Sequence, residues 1–562
     1  MARYVIGLDY GTDKVRALVA CAETGECLAS CERYYPRWKR GIYCNPALNQ
    51  WRQHPCDYLE VLEQSVCEVL SQCPVGVSSN VVGIALDTTG STPVFTDETG
   101  TPLAMLPEFS DNPNAMFILW KDHTAISEAE EITKLCKQWQ TDYTKYEGGI
   151  YSAEWFWAKV VHVLREDDSV ASKAYSIVEC CEWLPAVLTG VRSSMGIVRS
   201  RCACGHKAMW HSEWGGFPPE DFLVALEPKL AGFRSHSSLN TETADVPVGT
   251  LCPEWAKRLG LSTNVVVAGG AYNCHFGAVG AGVKPNTLVR VIDSSTCDVM
   301  VASYDEIGER CIKGICGQVD GSVIPGMVGL EAGQSSFGDV YSMFCDLLKY
   351  PLYTVLPRVL GEKMSMKDIE AVQEKVSEHM LQAISRDAAR IPISESTIIA
   401  TDWVNGRRTP DANQNLQATV CGLTLGTAAP HFFRALVEAT AFGTKSIVER
   451  FEDEGLRINE VLGIGDIALN SPFIMQTMCD VINKPIKVCN TDNACALGAT
   501  MFAATAAGVY ETVEDAINSM NSGFAKEYHP IPANAEIYST LYDKYKTLGD
   551  VTESLFFNNK NA

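Results

Sequence analysis

The sequence predicts an α/β protein of two large domains. β-Branched runs such as Val81-Val82-Gly83-Ile84-Ala85-Leu86 and Val265-Val266-Val267 read as buried strands. They alternate with stretches whose apolar residues recur at helical spacing, the rhythm of a parallel α/β core. The chain has 562 residues, too many for one ordinary hydrophobic core, so two domains are expected. Apolar residues make up 46% and charged residues 20%, which describes a well-buried globular chain and excludes a disordered one.

Composition excludes several function classes. A net charge of −22 repels polyanions, so neither nucleic acid nor an anionic membrane surface is an expected partner. The start, Met1-Ala2-Arg3-Tyr4, runs straight into a strand without the apolar segment of a signal peptide. No apolar run reaches the roughly 18 residues of a membrane span. The 22 cysteines are scattered, as in Cys180-Cys181 and Cys202-Ala203-Cys204, without paired metal-ligand spacing. They read as reduced thiols in a cytoplasmic protein.

In chain order, Tyr4–Tyr10 is a strand ending in the turn Asp9-Tyr10-Gly11-Thr12, and Arg16–Ala20 is its hairpin partner. Backbone N–H groups and the Thr12 hydroxyl of such a turn could hold phosphate oxygens, and Asp9 could reach a phosphate-bound Mg²⁺. A plain hairpin turn also uses D-x-G. His54–Leu70 carries helical spacing. The strand at 81–86 ends in Asp87-Thr88-Thr89-Gly90-Ser91-Thr92, a loop suited to a hydroxylated ligand. Trp120-Lys121-Asp122-His123 sets an aromatic face beside polar groups, as a sugar ring requires, or as a surface tryptophan beside solvated charges. Tyr151–Lys159 starts a helix with Ser152 as its cap, and Glu179–Leu184 lies in a packing helix. Lys207 sits among small and aromatic residues, where it could bind sugar hydroxyls; a lone lysine is more often exposed.

Ala268–Val283, rich in Gly and Ala, follows a strand and presents Asn273-Cys274-His275. It reads either as a catalytic turn or as a tight strand–helix packing turn. Val283-Lys284-Pro285-Asn286 is the best domain boundary, giving domains 1–284 and 285–562. Leu288–Ile292 is a strand leading into Asp293-Ser294-Ser295. Gly329–Ser335 is a small-residue loop with one acid, Glu331. Leu360–Arg390 is a peripheral helix and Pro430–Glu449 an amphipathic one. Val461–Ile467 is a strand and turn, and Asn493–Ala499 opens a small-residue helix. The last ~50 residues read as amphipathic helices alone.

Taken in order, these motifs resemble the FGGY carbohydrate kinases, of the actin/hexokinase-like ATPase superfamily, over nearly the whole chain. The blocks are G-L-D-Y-G-T at 7–12, D-T-T-G-S-T-P at 87–93, D-N-P-N-A-M-F-I-L-W-K-D-H-T-A at 111–125, G-H-K-A-M-W-H at 205–211, G-L-E-A-G-Q-S at 329–335, N-G-R-R-T-P-D-A-N-Q at 405–414 and A-C-A-L-G-A at 494–499. The resemblance implies two RNase H-like domains with a cleft between them, and ATP-dependent phosphorylation of a ketopentose with Mg²⁺. A homodimer is compatible with it. Sugar contacts would come from Gly90, Lys207, Asn273 and Glu331, with Trp120 and Asp122 nearby. Asp9, Gly11 and Thr12 would lie near the γ-phosphate and Mg²⁺, with Asp9 toward the metal. Asp293, Ser294 and Ser295 would line a second phosphate turn, and Gly465, Asp466, Asn470, Ala496 and Gly498 would flank the nucleoside.

The chain departs from the family pattern at three places. The family's base is an Asp where this chain has Asn273, and an amide cannot take up the proton of the attacking hydroxyl. Its phosphate turn reads G-T-S where this chain has Asp293-Ser294-Ser295, and its adenosine turn reads G-G where this chain has Gly465-Asp466. Two carboxylates beside phosphates repel them. Two expectations therefore stand side by side: an active kinase, or a relative that binds ketopentose and transfers phosphate poorly.

Overall fold

The computed structural model describes residues 2–557. The elements that position the site are, in chain order, β1 (Tyr4–Tyr10), β2 (Lys14–Cys21), β3 (Cys27–Tyr34), α1 (Pro55–Ser71), β4 (Val81–Thr88), α2 (Phe156–Glu166), α3 (Arg201–Lys207), β5 (Pro247–Thr250), β6 (Val266–Ala268), β7 (Ala271–Tyr272) and α4 (Asn273–Gly280). Then come β8 (Thr287–Ile292), β9 (Thr296–Ala302), β10 (Gly317–Asp320), β11 (Val328–Ala332), α5 (Gly338–Leu348), α6 (Met366–Ala388), α7 (Ala429–Asp453), β12 (Glu460–Ile464), α8 (Asp466–Asn470), α9 (Pro472–Ile482), β13 (Ile486–Cys489), α10 (Ala494–Ala506), β14 (Phe524–Tyr528) and α11 (Pro532–Phe557). They gather into two compact units. The first holds Met1–Val289, Asp298–Glu331 and Cys489–Gly523; the second holds Arg290–Cys297, Ala332–Val488 and Phe524–Ala562.

The first unit is built on a twisted sheet with strand order β5-β6-β4-β1-β2-β3, and β7 continues beside the end of β4. β1, β4, β6 and β7 run parallel, while β1-β2-β3 is an antiparallel meander. Side chains alternate across a strand, so β1 presents Ile6, Leu8 and Tyr10 to one face and Gly7 and Asp9 to the other. The first face forms a core with Tyr58 and Leu62 of α1. The second is covered by α10, whose run of Ala, Gly and Thr lets it lie close on β1 and β4. A second core, dominated by Trp155, Phe156, Trp157, Phe217 and Phe222, supports α2 and α3.

In the second unit, the end of β8 lies beside β12, followed by β13 and β14, with β12 and β13 parallel. Helix α7 packs against α5, α6 and α9. Three details differ from the sequence reading. Helix α2 begins at Phe156 with Trp155 at its N-cap, and the Ser152 hydroxyl instead accepts from the Glu154 N–H, so it is not the cap of α2. Asp87 is not in a loop but inside β4. The last ~50 residues include a strand, β14, whose five mostly exposed residues carry little apolar pattern. Among the described residues no helix is long and apolar enough to cross a membrane.

Candidate active site

At one end of the first unit's sheet, three parallel strands bring polar residues together. Asp9 of β1 is in register with Asp87 of β4, and Asp87 with Ala271 of β7. Asn273 follows β7 directly as the first residue of α4 and is half-buried. Asp9 accepts from Arg16 Nη1 at 3.1 Å through Oδ2, and its Oδ1 has no hydrogen-bond partner. The turn after β1 closes through the Gly11 N–H to Lys14 O at 3.0 Å. Thr12 Oγ1 accepts from Trp120 Nε1 at 3.0 Å, and Thr12 O accepts from Gln53 Nε2 at 2.7 Å.

Beside this end lies a buried ionic cluster within the same unit. Lys207 closes α3, and its ammonium lies over the Trp155 ring and donates to Glu331 Oε1 of β11 at 2.5 Å. Glu331 Oε2 lies 3.1 Å from His275 Nε2. A carboxylate only accepts, so Nε2 carries a proton; Nδ1 lies 3.2 Å from the Cys202 thiol and 3.5 Å from the Ser322 carbonyl. Burial would raise the Glu331 carboxyl, but Lys207 first and then His275 hold it well below the usual carboxylate range. His206, fully buried, bonds Ser322 Oγ through Nε2, while its Nδ1 stands 3.8 Å from Glu331 Oε2. Burial and the neighbouring His275 keep His206 neutral. The result is a buried anion–cation pair backed by the Trp155 ring.

Gly90 packs flat on the Tyr272 ring, where a Cβ would overlap the ring carbons. The Tyr272 hydroxyl donates to Glu179 Oε1 at 3.2 Å, and Ser91 donates to the same carboxylate. Asp122 is buried and saturated: it accepts from the Trp51 N–H, Arg52 Nη1 at 2.8 Å and the Thr124 N–H and hydroxyl. It holds the segment carrying Trp120 in place. Ala496 and Gly498 are buried where α10 meets β1 and α4. A Cβ on Gly498 would overlap the Phe276 carbonyl.

The remaining predicted residues lie in the second unit. The carbonyls of Asp293 and Ser294 accept from the N–H groups of Phe337, Gly338 and Asp339, tying the turn after β8 to the start of α5. Gly465, at φ +103°, turns β12 into α8 and touches Ile292 at the end of β8. Only Gly adopts that angle at no cost. Asp293 and Asp466 are both exposed, as is Asn470 at the end of α8. Two helix starts and a tight turn therefore converge here, as anion sites do, but with a carboxylate on each of two turns. The sequence reading did not single out His206, His275 or Cys202 as site residues. Their partners lie 56 to 116 positions away, and no local pattern signals such pairings.

Residues 288–507 match the FGGY family of carbohydrate kinases, C-terminal domain. A ribulokinase from Vibrio parahaemolyticus is 46% identical over 98% of this chain and 96% of its own length. One from Shouchella clausii is 34% identical over 98% and 95%. The fold matches solved structures of a xylulose kinase from Rhodospirillum rubrum (TM-score 0.72, 18% identity, 99% of this chain and 100% of that one). It also matches a Plasmodium falciparum glycerol kinase with ADP (TM-score 0.71, 15% identity, 97% of each). The α/β fold is thus the actin/hexokinase-like one of the sugar kinases. The chain belongs to the FGGY carbohydrate kinases, enzymes that pass a phosphoryl group to an alcohol.

Proposed function

We propose that the chain binds L-ribulose and carries out its ATP-dependent conversion to L-ribulose 5-phosphate, a step of L-arabinose use in the cytoplasm. The near full-length similarity to ribulokinases supports the substrate. The observation that carries the binding half is the buried Lys207–Glu331 pair, placed beside Asn273 in sequence by His275. In this reading Glu331 accepts from sugar hydroxyls, Lys207 donates to them, and Gly90 leaves space beside Tyr272. Trp120 holds the Thr12 hydroxyl in place, and the turn at Gly11 and Thr12 offers donors to a phosphate. Residues 285–562 supply the other nucleotide contacts, from Asp293–Ser295 and Gly465–Asn470. Mg²⁺, when bound, neutralises phosphate charge. The buried, partner-free oxygen of Asp9 fits that role.

A second reading rests on Asn273. Its amide cannot take up the hydroxyl proton, and loss of a general base costs about 10²–10⁴-fold. Asp293 and Asp466 add negative charge on the nucleotide side. An ADP-release assay with L-ribulose separates the two: turnover of roughly 1–100 per second supports the kinase, and a rate far below it supports a ketopentose binder with weak transfer. Calorimetric titration of L-ribulose and of ATP–Mg²⁺ separately should then give heat for the sugar. Absence of sugar binding would overturn both readings.

A further inference from the structure

We propose that Asp87 is a second protein carboxylate of the divalent-cation site that begins at Asp9. The proposal rests on the assignment of Asp9 to the metal made above. Asp9 and Asp87 are 3% and 0% exposed and sit in register on adjacent parallel strands, so both side chains emerge on the same face of the sheet. Arg16 serves one oxygen of Asp9 only. Asp9 Oδ1 and both oxygens of Asp87 are left without a hydrogen-bond partner. Three orphaned carboxylate oxygens at the catalytic end of a sheet are costly unless something satisfies them, because buried acids are otherwise paired or bound to metal. The donor set is hard oxygen alone, which suits Mg²⁺ or Mn²⁺ and not zinc. Mg²⁺ is commonly held by one or two carboxylates with the remaining positions left to water and substrate phosphates.

Mn²⁺ binding to the full chain, read from the loss of the free-ion paramagnetic resonance signal with and without ADP, tests this apart from turnover. Asp87→Asn and Asp9→Asn should each weaken Mn²⁺ by about 10–100-fold, the scale seen when a metal-site partner is removed. In chelator, Asp87→Asn should unfold at the same or a higher temperature than the parent, which shows that it is folded. Asp87→Ser repeats the measurement should the Asn variant fold poorly. If Asp9→Asn loses Mn²⁺ while both Asp87 variants keep it, the cation rests on Asp9 alone and the proposal is overturned. If the unaltered chain binds no Mn²⁺ even with ADP, the metal assignment of Asp9 falls as well.

Discussion

At the scale of single residues, the site is a set of buried charges whose balance can be tested. Asn273→Asp should raise phosphoryl transfer by about 10²–10⁴-fold over the parent, read by ADP release. Recovery should remain partial while Asp293 and Asp466 stay. Lys207→Met should cost about 3–5 kcal/mol in chemical denaturation, because it strands Glu331 as a buried anion. The pH sign follows from Glu331, whose carboxyl is held below its unfolded value. Its contribution is fully present above the unfolded pKa of about 4.5 and is lost as pH falls through the window below it. The stability gap between the parent and Glu331→Gln should therefore be widest at neutral pH and shrink below about pH 4.5. Much of this site was legible in sequence: Lys207, Glu331 and Asn273 stand in recognisable blocks. What was not legible is the layer behind them. His275 fixes Glu331 and Cys202 fixes His275, pairings made by folding across tens of residues. Asp87 was read as a loop residue, because a strand's last turn of register cannot be placed from polarity when acid and threonine replace the apolar run.

At the scale of elements, strands were the easiest to foresee, since β-branched runs at 81–86 and 288–292 fall within β4 and β8. Their ends were foreseen less well, because polar residues there serve the site and break the pattern. Helix α10 shows how small residues act in packing: Gly498 lets α10 approach α4 until backbones touch. Gly498→Ala should lower the unfolding free energy, read from chemical denaturation, by at least the ~1–3 kcal/mol typical of overpacking. In the second unit, α8 and α5 begin at the turns bearing Asp466 and Asp293. Both side chains are exposed, so each repels a phosphate at ~4 Å by about 1 kcal/mol in water. Asp466→Gly and Asp293→Gly should each tighten ATP–Mg²⁺ about fivefold by calorimetry.

At the scale of the whole molecule, the acidic surface, the absence of a paired cysteine spacing and the α/β rhythm set the class before any residue was assigned. The assembly of the first unit from distant segments was not legible, because contact between Gly7 and Ala496 leaves no trace in local sequence. The first unit is completed only by Cys489–Gly523. A fragment ending at residue 331 should therefore be cleaved rapidly by protease, and adding residues 489–523 in trans or by a linker should restore resistance. The same feature sets a schedule for synthesis. β1 is synthesised about 480 residues before α10, which seals its Gly7–Asp9 face and begins at Ala494. At about 5–20 residues per second the nascent sheet waits roughly 25–100 s for its cover. Through that interval the face meant for α10 is available to chaperones, and this late closure makes the chain's folding a whole-length event.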